Sequence, residues 1–498
     1  MSKSYQPWTQ DQQFLLPPSL RDWLPEGHLA WFVLDVVSQL DLSPIVDAIQ
    51  SKDARGQRPY HPQMMMAVLV YGYCTGVFSS RKIERATYED VAFRVIAGNA
   101  QPYFTTINEF RRVHREHFAR LFAEVLRLCR GAGLVKLGHV AIDGTKVRAN
   151  ASKHKAMSYE RMCEQERRLV EQVEELLSRA DTADAQDDER YGAGRRDEDL
   201  PEELRRREQR LARIGEAKRE LEAEARRQRA ADLREQAEGM EETARAHTDP
   251  SMGQRLRTKA ANARRQADEL DPPSDDCAPL GGGGAGELAR RPGSTTPDAT
   301  PKPSAQRNFT DPDSCIMKGG DGFMQAYNAQ LAVDEHCQVI VATGVTDQAA
   351  DNANLTPMLE RIAGNLGEVP SQATGDTGYW HPRVAEQARA LGCEALVATG
   401  RRRHGECGVP SAEGEPPEGL DALQRMRWRL NTAEGRRVYA RRKAVVEPVN
   451  GQVKGAQGFR RFSFRGLQAV EAEWNLVCLC HNALKLFRHG EVFAARGA

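Results

Sequence analysis

The sequence predicts an α/β core preceded by an all-α region and interrupted by a long charged helical insertion. Three observations carry this. Apolar residues up to about position 130 recur at helical spacing. Short apolar runs near 134–146 and across 305–400 alternate with amphipathic stretches. Between these two regions Glu and Arg dominate and the apolar residues thin to a narrow seam.

Composition narrows the class. A chain of 498 residues holds more than one domain at about 100–200 residues each. Lys plus Arg and Asp plus Glu are both 70, so only local charge can report on a polyanionic partner. The ten cysteines are scattered through a long chain and read as reduced thiols, the usage of a cytoplasmic protein. Cys478-Leu479-Cys480-His481 lacks a second ligand pair at zinc spacing and lies in an apolar helical pattern, which favours buried thiols. With neither a hydrophobic signal core nor a run of about 18 apolar residues, the expectation is a soluble protein with no membrane partner.

Residues 1–130 form the expected helical N-terminal domain. Gly27–Val37 starts an apolar helix, and Pro62 suits the first turn of another that runs through Met64–Tyr73. A Ser79-Ser80 start and the stretch Asp90–Ile96 follow. Pro102–Arg112 resembles the turn and second helix of a helix-turn-helix. Thr105 and Thr106 at its start, with Arg111 and Arg112 a turn later, suit phosphate contacts; the alternative is an ordinary bundle with a solvated basic face.

Leu134–Ile142 reads as a buried strand that delivers Asp143 at its C-terminal mouth, although an Asp there is often only a turn residue. Gly144 leaves space beside the carboxylate, and Lys146 and Arg148 add positive charge. Residues 131–155 are thus the first strand of the core. The insertion, 156–304, carries thin seams (Met162, Leu169, Val173, Leu176; then Leu204, Leu211, Ile214, Leu221, Ala225) that predict a helical hairpin or coiled coil. A polar loop, Ala180–Asp199, joins the two seams, and Gly281–Gly284 with Pro292–Pro303 forms a linker.

The remainder of the core, 305–490, begins with a hairpin (325–333 and 338–343). Helix 354–366, strand 372–374, helix 381–391 and strand 395–398 follow. This order is the ribonuclease-H-like layout, with the first acid on strand one and the next, Asp376, after strand four. Gly375 and Gly378 flank Asp376 and permit close approach. Asp347 and Asp351 compete as second acids, because both precede a helix and also fit as N-caps. Downstream, Tyr439, Lys443 and Glu447 share one helical face, Pro448 kinks that helix or opens a second, and Arg441, Arg442, Lys454, Arg460 and Arg461 make a polyanion footprint.

Together Ala141-Ile142-Asp143-Gly144-Thr145, Gly375-Asp376-Thr377-Gly378-Tyr379 and Tyr439–Lys454 with Gly458-Phe459-Arg460-Arg461-Phe462 resemble a DDE transposase of a bacterial insertion sequence. The last segment is similar to the Tyr-Arg-Glu-Lys signature of one transposase group. Tyr439 to Arg442 and Glu447 to Lys454 keep its spacing; Arg442 lies one residue too far from Glu447, and Lys443 has the family offset. The insertion also falls between strands one and two, not just before the final acid. The resemblance implies that Asp143, Asp376 and Glu447 hold two Mg²⁺ ions about 3.5–4 Å apart, with Mn²⁺ able to substitute. It implies that Lys146, Arg148, Tyr439, Arg442, Lys443, Lys454, Arg460 and Arg461, with Thr105, Thr106, Arg111 and Arg112, meet double-stranded DNA. The expected activity is cleavage at the inverted repeats of the element and transfer of the 3′ ends to target DNA, by a homodimer located in the cytoplasm and on the nucleoid when bound. A catalytically inactive DNA-binding descendant and a nuclease without a joining step are the alternatives.

Overall fold

The computed structural model describes residues 19–51, 58–191, 202–247, 249–272, 287–288, 295–320, 322–400 and 412–494. The predicted glycine linker, residues 192–199 of the predicted loop and Arg401–Arg403 lie outside them.

The N-terminal region is all helical: α1 (Leu29–Ser38), α2 (Ser43–Gln50), α3 (Pro62–Cys74), α4 (Ser80–Glu89), α5 (Val91–Ile96), α6 (Phe104–Val113) and α7 (Phe118–Gly131). Asp90 caps α5 by accepting from the amides of Ala92 and Phe93. From Met65 to Cys74 every residue of α3 is buried, because this helix packs against α1 and against the last helix of the chain.

The strands are β1 (His139–Arg148), β2 (Ala156–Ser158), β3 (Gln306–Asn308), β4 (Cys315–Gly319), β5 (Gly322–Asp334), β6 (Ile340–Thr346), β7 (Gln372–Gly375) and β8 (Glu394–Val397). The main sheet runs β4-β5-β1-β7-β8, with β6 also paired to β5. Pairing is antiparallel across β4/β5, β5/β6 and β1/β5, and parallel across β1/β7 and β7/β8. Side chains cover β6: Asn482 bonds both the N–H and C=O of Ile340, Asn365 reaches the Val341 carbonyl and Arg361 the Thr343 carbonyl. Around the sheet lie α11 (Leu355–Leu366), α12 (Val384–Ala390), α13 (Ala422–Asn431), α14 (Ala433–Gly451) and α15 (Leu467–Ala494), the element order following the sequence expectation.

Between β2 and β3 the insertion rises as α8 (Tyr159–Tyr191), α9 (Glu202–Ala246) and α10 (Pro250–Leu270). The antiparallel β2/β3 pair returns the chain to the point where it left. Two apolar seams hold it: Met162 and Leu169 against Ile214, Ala217 and Leu221, then Ala230, Leu233 and Ala237 against Ala260, Ala263 and Ala267. The predicted hairpin is therefore present with a third helix added, and α8 continues through Ala180–Tyr191, where a loop was expected.

Two further expectations need correcting. The first strand starts at His139, because Leu137 takes a positive φ of 51° while its amide and that of Lys136 bond the Asp334 carboxylate. It also runs on to Arg148, so Asp143 is a mid-strand residue. The second correction concerns Arg111, expected at DNA. It is 4% exposed, donating to the Tyr73 hydroxyl (2.8 Å), the Phe78 carbonyl and Asn108 Oδ1, and lying 3.9 Å from Glu473. A guanidinium so enclosed is a core group.

The apolar core is continuous across position 130, with α15 at its centre. Cys74 Sγ contacts the Cys480 carbonyl and Cys129 Sγ the Asn482 carbonyl, each at 3.6 Å, and the rings of Phe32 and Phe487 stand 5.2 Å apart. Cys478, Cys480 and His481 are buried here; burial drives the His481 imidazole down to about 4, so it stays neutral. Among the described residues no single helix is long and apolar enough to cross a membrane.

Candidate active site

Asp143 sits where the parallel partner of β1 ends. The last β1/β7 pair is Ala141 with Thr374; two residues on come Asp143, still within β1, and Asp376, just past β7, near enough for Asp376 to raise the Asp143 carboxyl. On its other edge β1 stays paired to β5 through Arg148. The chain therefore opens at the two acids on one side only.

Each acid is held differently. Asp376 caps the short turn Thr377–Tyr379, its Oδ1 accepting from the Gly378 amide at 2.7 Å. Asp143 Oδ2 accepts from Asn450 Nδ2 at 3.0 Å, and its Oδ1 lies 3.9 Å from Arg442 of α14. Burial pushes the Asp143 carboxyl up to about 6; Arg442 opposes the rise, while Asp376 and Asp351 add to it.

Helix α14 reaches the site through Pro448, which would ordinarily leave the Ala444 carbonyl without its helical donor. Gln338 Nε2 supplies one at 3.1 Å, and the helix continues to Gly451. A π-turn, Gln452–Ala456, follows and brings Lys454 Nζ onto Thr145 Oγ1 and the Lys146 carbonyl. Burial holds the Lys454 amine below its usual range, with Asp143 opposing. Arg442 is buried on the sheet-facing side and Lys443 is exposed, so the cation beside Asp143 is Arg442. The guanidinium carbon of Arg442 lies 6.0 Å from the Tyr439 ring, whose hydroxyl is raised by burial and by Asp376 and lowered by Arg442. Glu447 is exposed on α14, three residues before Asn450, and no hydrogen bond or ion pair among the described residues joins it to Asp143 or Asp376.

Asp351 also comes to this place. Its Oδ1 accepts from Asn328 Nδ2 (2.6 Å) and Gln330 Nε2 (2.7 Å), with Lys146 Nζ at 3.8 Å. It does not cap α11, whose N-cap is Asn354. Gly144 makes room for it: a Cβ there would strike Asp351 Oδ1 and approach Gln330 Nε2 to 2.5 Å and Asn328 Oδ1 to 2.8 Å. Gly144→Ala is accordingly expected to cost about 1–3 kcal/mol of stability, the overpacking range, and to impair cleavage. Thermal denaturation alongside a cleavage assay checks it; unchanged values in both would show that the gap is unimportant.

Of the other residues expected at DNA, Thr105, Thr106 and Arg112 are exposed on α6, Arg112 paired with Glu109 at 2.7 Å. Arg148, Arg460 and Arg461 are exposed beside the site, where the Phe462 amide bonds the Arg148 carbonyl and Arg461 reaches Asn150. Lys146 is half-buried and donates to the Ala349 carbonyl. Asn450, Asn328, Gln330 and Tyr379 are site residues that sequence reasoning missed. Two polar residues on alternate positions of an apolar strand, Asn328 and Gln330, were the available signal.

Among the described residues no three carboxylate, imidazole or thiol groups already stand in a metal-binding arrangement. The donor set nevertheless suits a hard divalent cation. It is all oxygen, Gly378 leaves a gap between the Asp376 and Asp351 carboxylates, and Asp143 is raised first by burial and then by Asp376 and Asp351. Carboxylates at a strand mouth, bordered by Arg442, Lys146 and Lys454, can meet both a cation and a phosphodiester.

Such a site on an α/β core defines a carboxylate-centred class of protein, and comparison with known families makes it specific. A transposase domain (DUF772) matches residues 18–113, and a transposase DDE domain matches residues 417–487. The family that these two matches support is the DDE transposases of insertion sequences, as the sequence motifs indicated. No curated protein and no solved structure matches the chain. The second match contains Arg442, Glu447, Asn450 and Lys454, and the first contains the whole of α1–α6.

Proposed function

We propose that the chain binds the terminal inverted repeats of its own insertion sequence, cleaves the element ends and joins the 3′ ends to target DNA. The observation that carries this reading is that Asp143 and Asp376 both lie two residues beyond the last β1/β7 pair, with Arg442 and Lys454 beside Asp143. The strand arrangement supports a ribonuclease-H-like core: β6 and β1 flank β5 antiparallel, and β7 and β8 extend the other side in parallel.

DDE transposase domains generally use divalent metal ions. Here Asp143, Asp376 and Glu447 would hold Mg²⁺ or Mn²⁺, which supplies Lewis-acid activation of the attacking and leaving oxygens. The chain's own groups do the rest. Asn450 and Arg442 orient Asp143, the turn capped by Asp376 keeps its second oxygen available, and Lys146 and Lys454 neutralise the phosphate that the acids would repel. Arg148, Arg460 and Arg461 hold the flanking duplex, and Thr105, Thr106 and Arg112 of the N-terminal region contact DNA further out. Two ends must be brought together, so the active form is a homodimer.

Mg²⁺- or Mn²⁺-dependent cleavage of element-end DNA tests the reading. Asp376→Asn and Glu447→Gln are expected to lose cleavage while retaining DNA binding. Full activity of Glu447→Gln would remove that residue from the metal ligands. Cleavage without strand-transfer products would favour the nuclease alternative.

A further inference from the structure

On one face of the sheet, Gly144 and Lys146 of β1 lie directly opposite Gln330 and Asn328 of β5. Three polar side chains, those of Gln330, Asn328 and Asp351, stand around the place where a side chain at Gly144 would go, with the Asp351 carboxylate nearest. Asn328 and Gln330 are both fully buried, an unusual cost inside a sheet unless they hold something. Both give their amide donors to the same oxygen, Asp351 Oδ1. Asn328 Oδ1, also buried and facing the Gly144 gap, has no partner among the described residues.

The other oxygen points elsewhere. A Cβ at Gly378 would stand 2.9 Å from Asp376 Oδ1 and 3.3 Å from Asp351 Oδ2, so the two carboxylates border a single gap. A second link runs through Gln330, whose Oε1 accepts from the Tyr379 hydroxyl of the turn that Asp376 caps. Tyr379 is fully buried and lies within the fields of Asp351, Asp143 and Asp376.

We propose that Asp351 is a positioning residue of the active site, fixing the Asp376 turn through Gln330 and Tyr379 and adding its charge beside the metal-binding acids. This rests on the function proposed above. Oδ1 is committed to the two amides, while Oδ2 faces the gap at Gly378 and remains to accept from a water that the cation would hold. Outer-shell partners of this kind typically carry about 10–100-fold in metal affinity or activity.

The test uses full-length protein and Mn²⁺ as the probe. Asp351→Asn keeps the shape and an acceptor for Asn328 and Gln330, and Gln330→Met cuts the link to Tyr379 while leaving the carboxylate in place. Calorimetric titration of DNA-free protein with Mn²⁺ should show affinity falling about tenfold or more in Asp351→Asn. Cleavage should fall at limiting Mn²⁺ and recover partly at saturation, with DNA affinity unchanged. Gln330→Met should lower cleavage at every Mn²⁺ concentration, because it disturbs the Asp376 turn. Wild-type Mn²⁺ affinity and cleavage in Asp351→Asn, with Asp143→Asn and Asp376→Asn inactive, would overturn the proposal and leave the transposase reading intact. Normal Mn²⁺ binding and cleavage in all of these variants would overturn both.

Discussion

Replacing Asp143 with Asn is expected to abolish cleavage and, at pH 7.5 without metal, to make the protein more stable. Asp143 is largely buried, and its carboxyl is raised from 3.8 to about 6, first by burial and then by Asp376 and Asp351 against the opposing pull of Arg442. A carboxyl raised in the folded state favours folding while protonated. That contribution is complete below about pH 4, where the unfolded chain also holds the proton, and is lost as pH rises through about 6. Above that range the ionised group works against the fold by up to about 3 kcal/mol, at 1.36 kcal/mol for each of roughly two pH units. Asparagine mimics the neutral form and can still accept from Asn450, so it removes the penalty. The gain at pH 7.5 should be about 1–3 kcal/mol, vanishing near pH 4. Loss of cleavage should exceed about a hundredfold, the upper range for an outer-shell residue. Thermal denaturation of metal-free protein at both pH values, with cleavage assayed in parallel, reads both effects. An Asn variant that is active, or whose stability gain over the wild type is no larger at pH 7.5 than at pH 4, would contradict the assignment.

The helices and the strand order were legible because their signals are local. Pro62 at a helix start, the Ser79-Ser80 start and the alternation before Asp334 all act within a few residues. The positions of Asp143 and Asp376 were legible for a related reason: each stands where an apolar run meets glycine, and each lies two residues beyond the last β1/β7 pair. What was not legible depends on segments distant in sequence. The extent of β1 beyond Asp143 is set by β5, nearly two hundred residues later. The choice between Arg442 and Lys443 is set by the face that α14 turns toward β1, which the spacing to Glu447 alone does not determine. Pro448 read as a kink or the start of a second helix because its substitute donor, Gln338, lies in the distant loop between β5 and β6. Asp351 read either as a competing second acid or as a helix cap because the amides that hold it, on Asn328 and Gln330, belong to a strand face that alternation assigns to solvent.

Arg111 shows the same limit and carries the second large effect. Its position one turn into a helix beginning with hydroxyls fits a phosphate contact, yet the structure places it inside the junction between the two family-matched segments. Arg111 donates to the Tyr73 hydroxyl, which donates in turn to Glu473 Oε1 at 3.2 Å. Glu473 is fully buried and also accepts from the Ser463 hydroxyl and from the amides of Ser463 (2.8 Å) and Phe464 (3.1 Å). The Arg111 guanidinium carbon lies 4.8 Å from the centre of the Phe464 ring. Removing one member strands the other charge in a low-dielectric interior, which typically costs about 3–5 kcal/mol, whereas replacing both by apolar groups of similar volume is often neutral. Arg111→Ala should therefore lower stability by that amount in chemical denaturation. Arg111→Met combined with Glu473→Leu should recover part of the loss, the four donors freed at Glu473 limiting the recovery. Folded Arg111→Ala should bind DNA with the wild-type salt dependence, since a phosphate contact would remove about one unit from the slope of log affinity against log salt. Arg112→Ala, one residue on and exposed, should behave oppositely: little change in stability and a shallower slope. If Arg111→Ala kept its stability and lost slope, the buried network would not exist in solution and the surface reading of α6 would be restored.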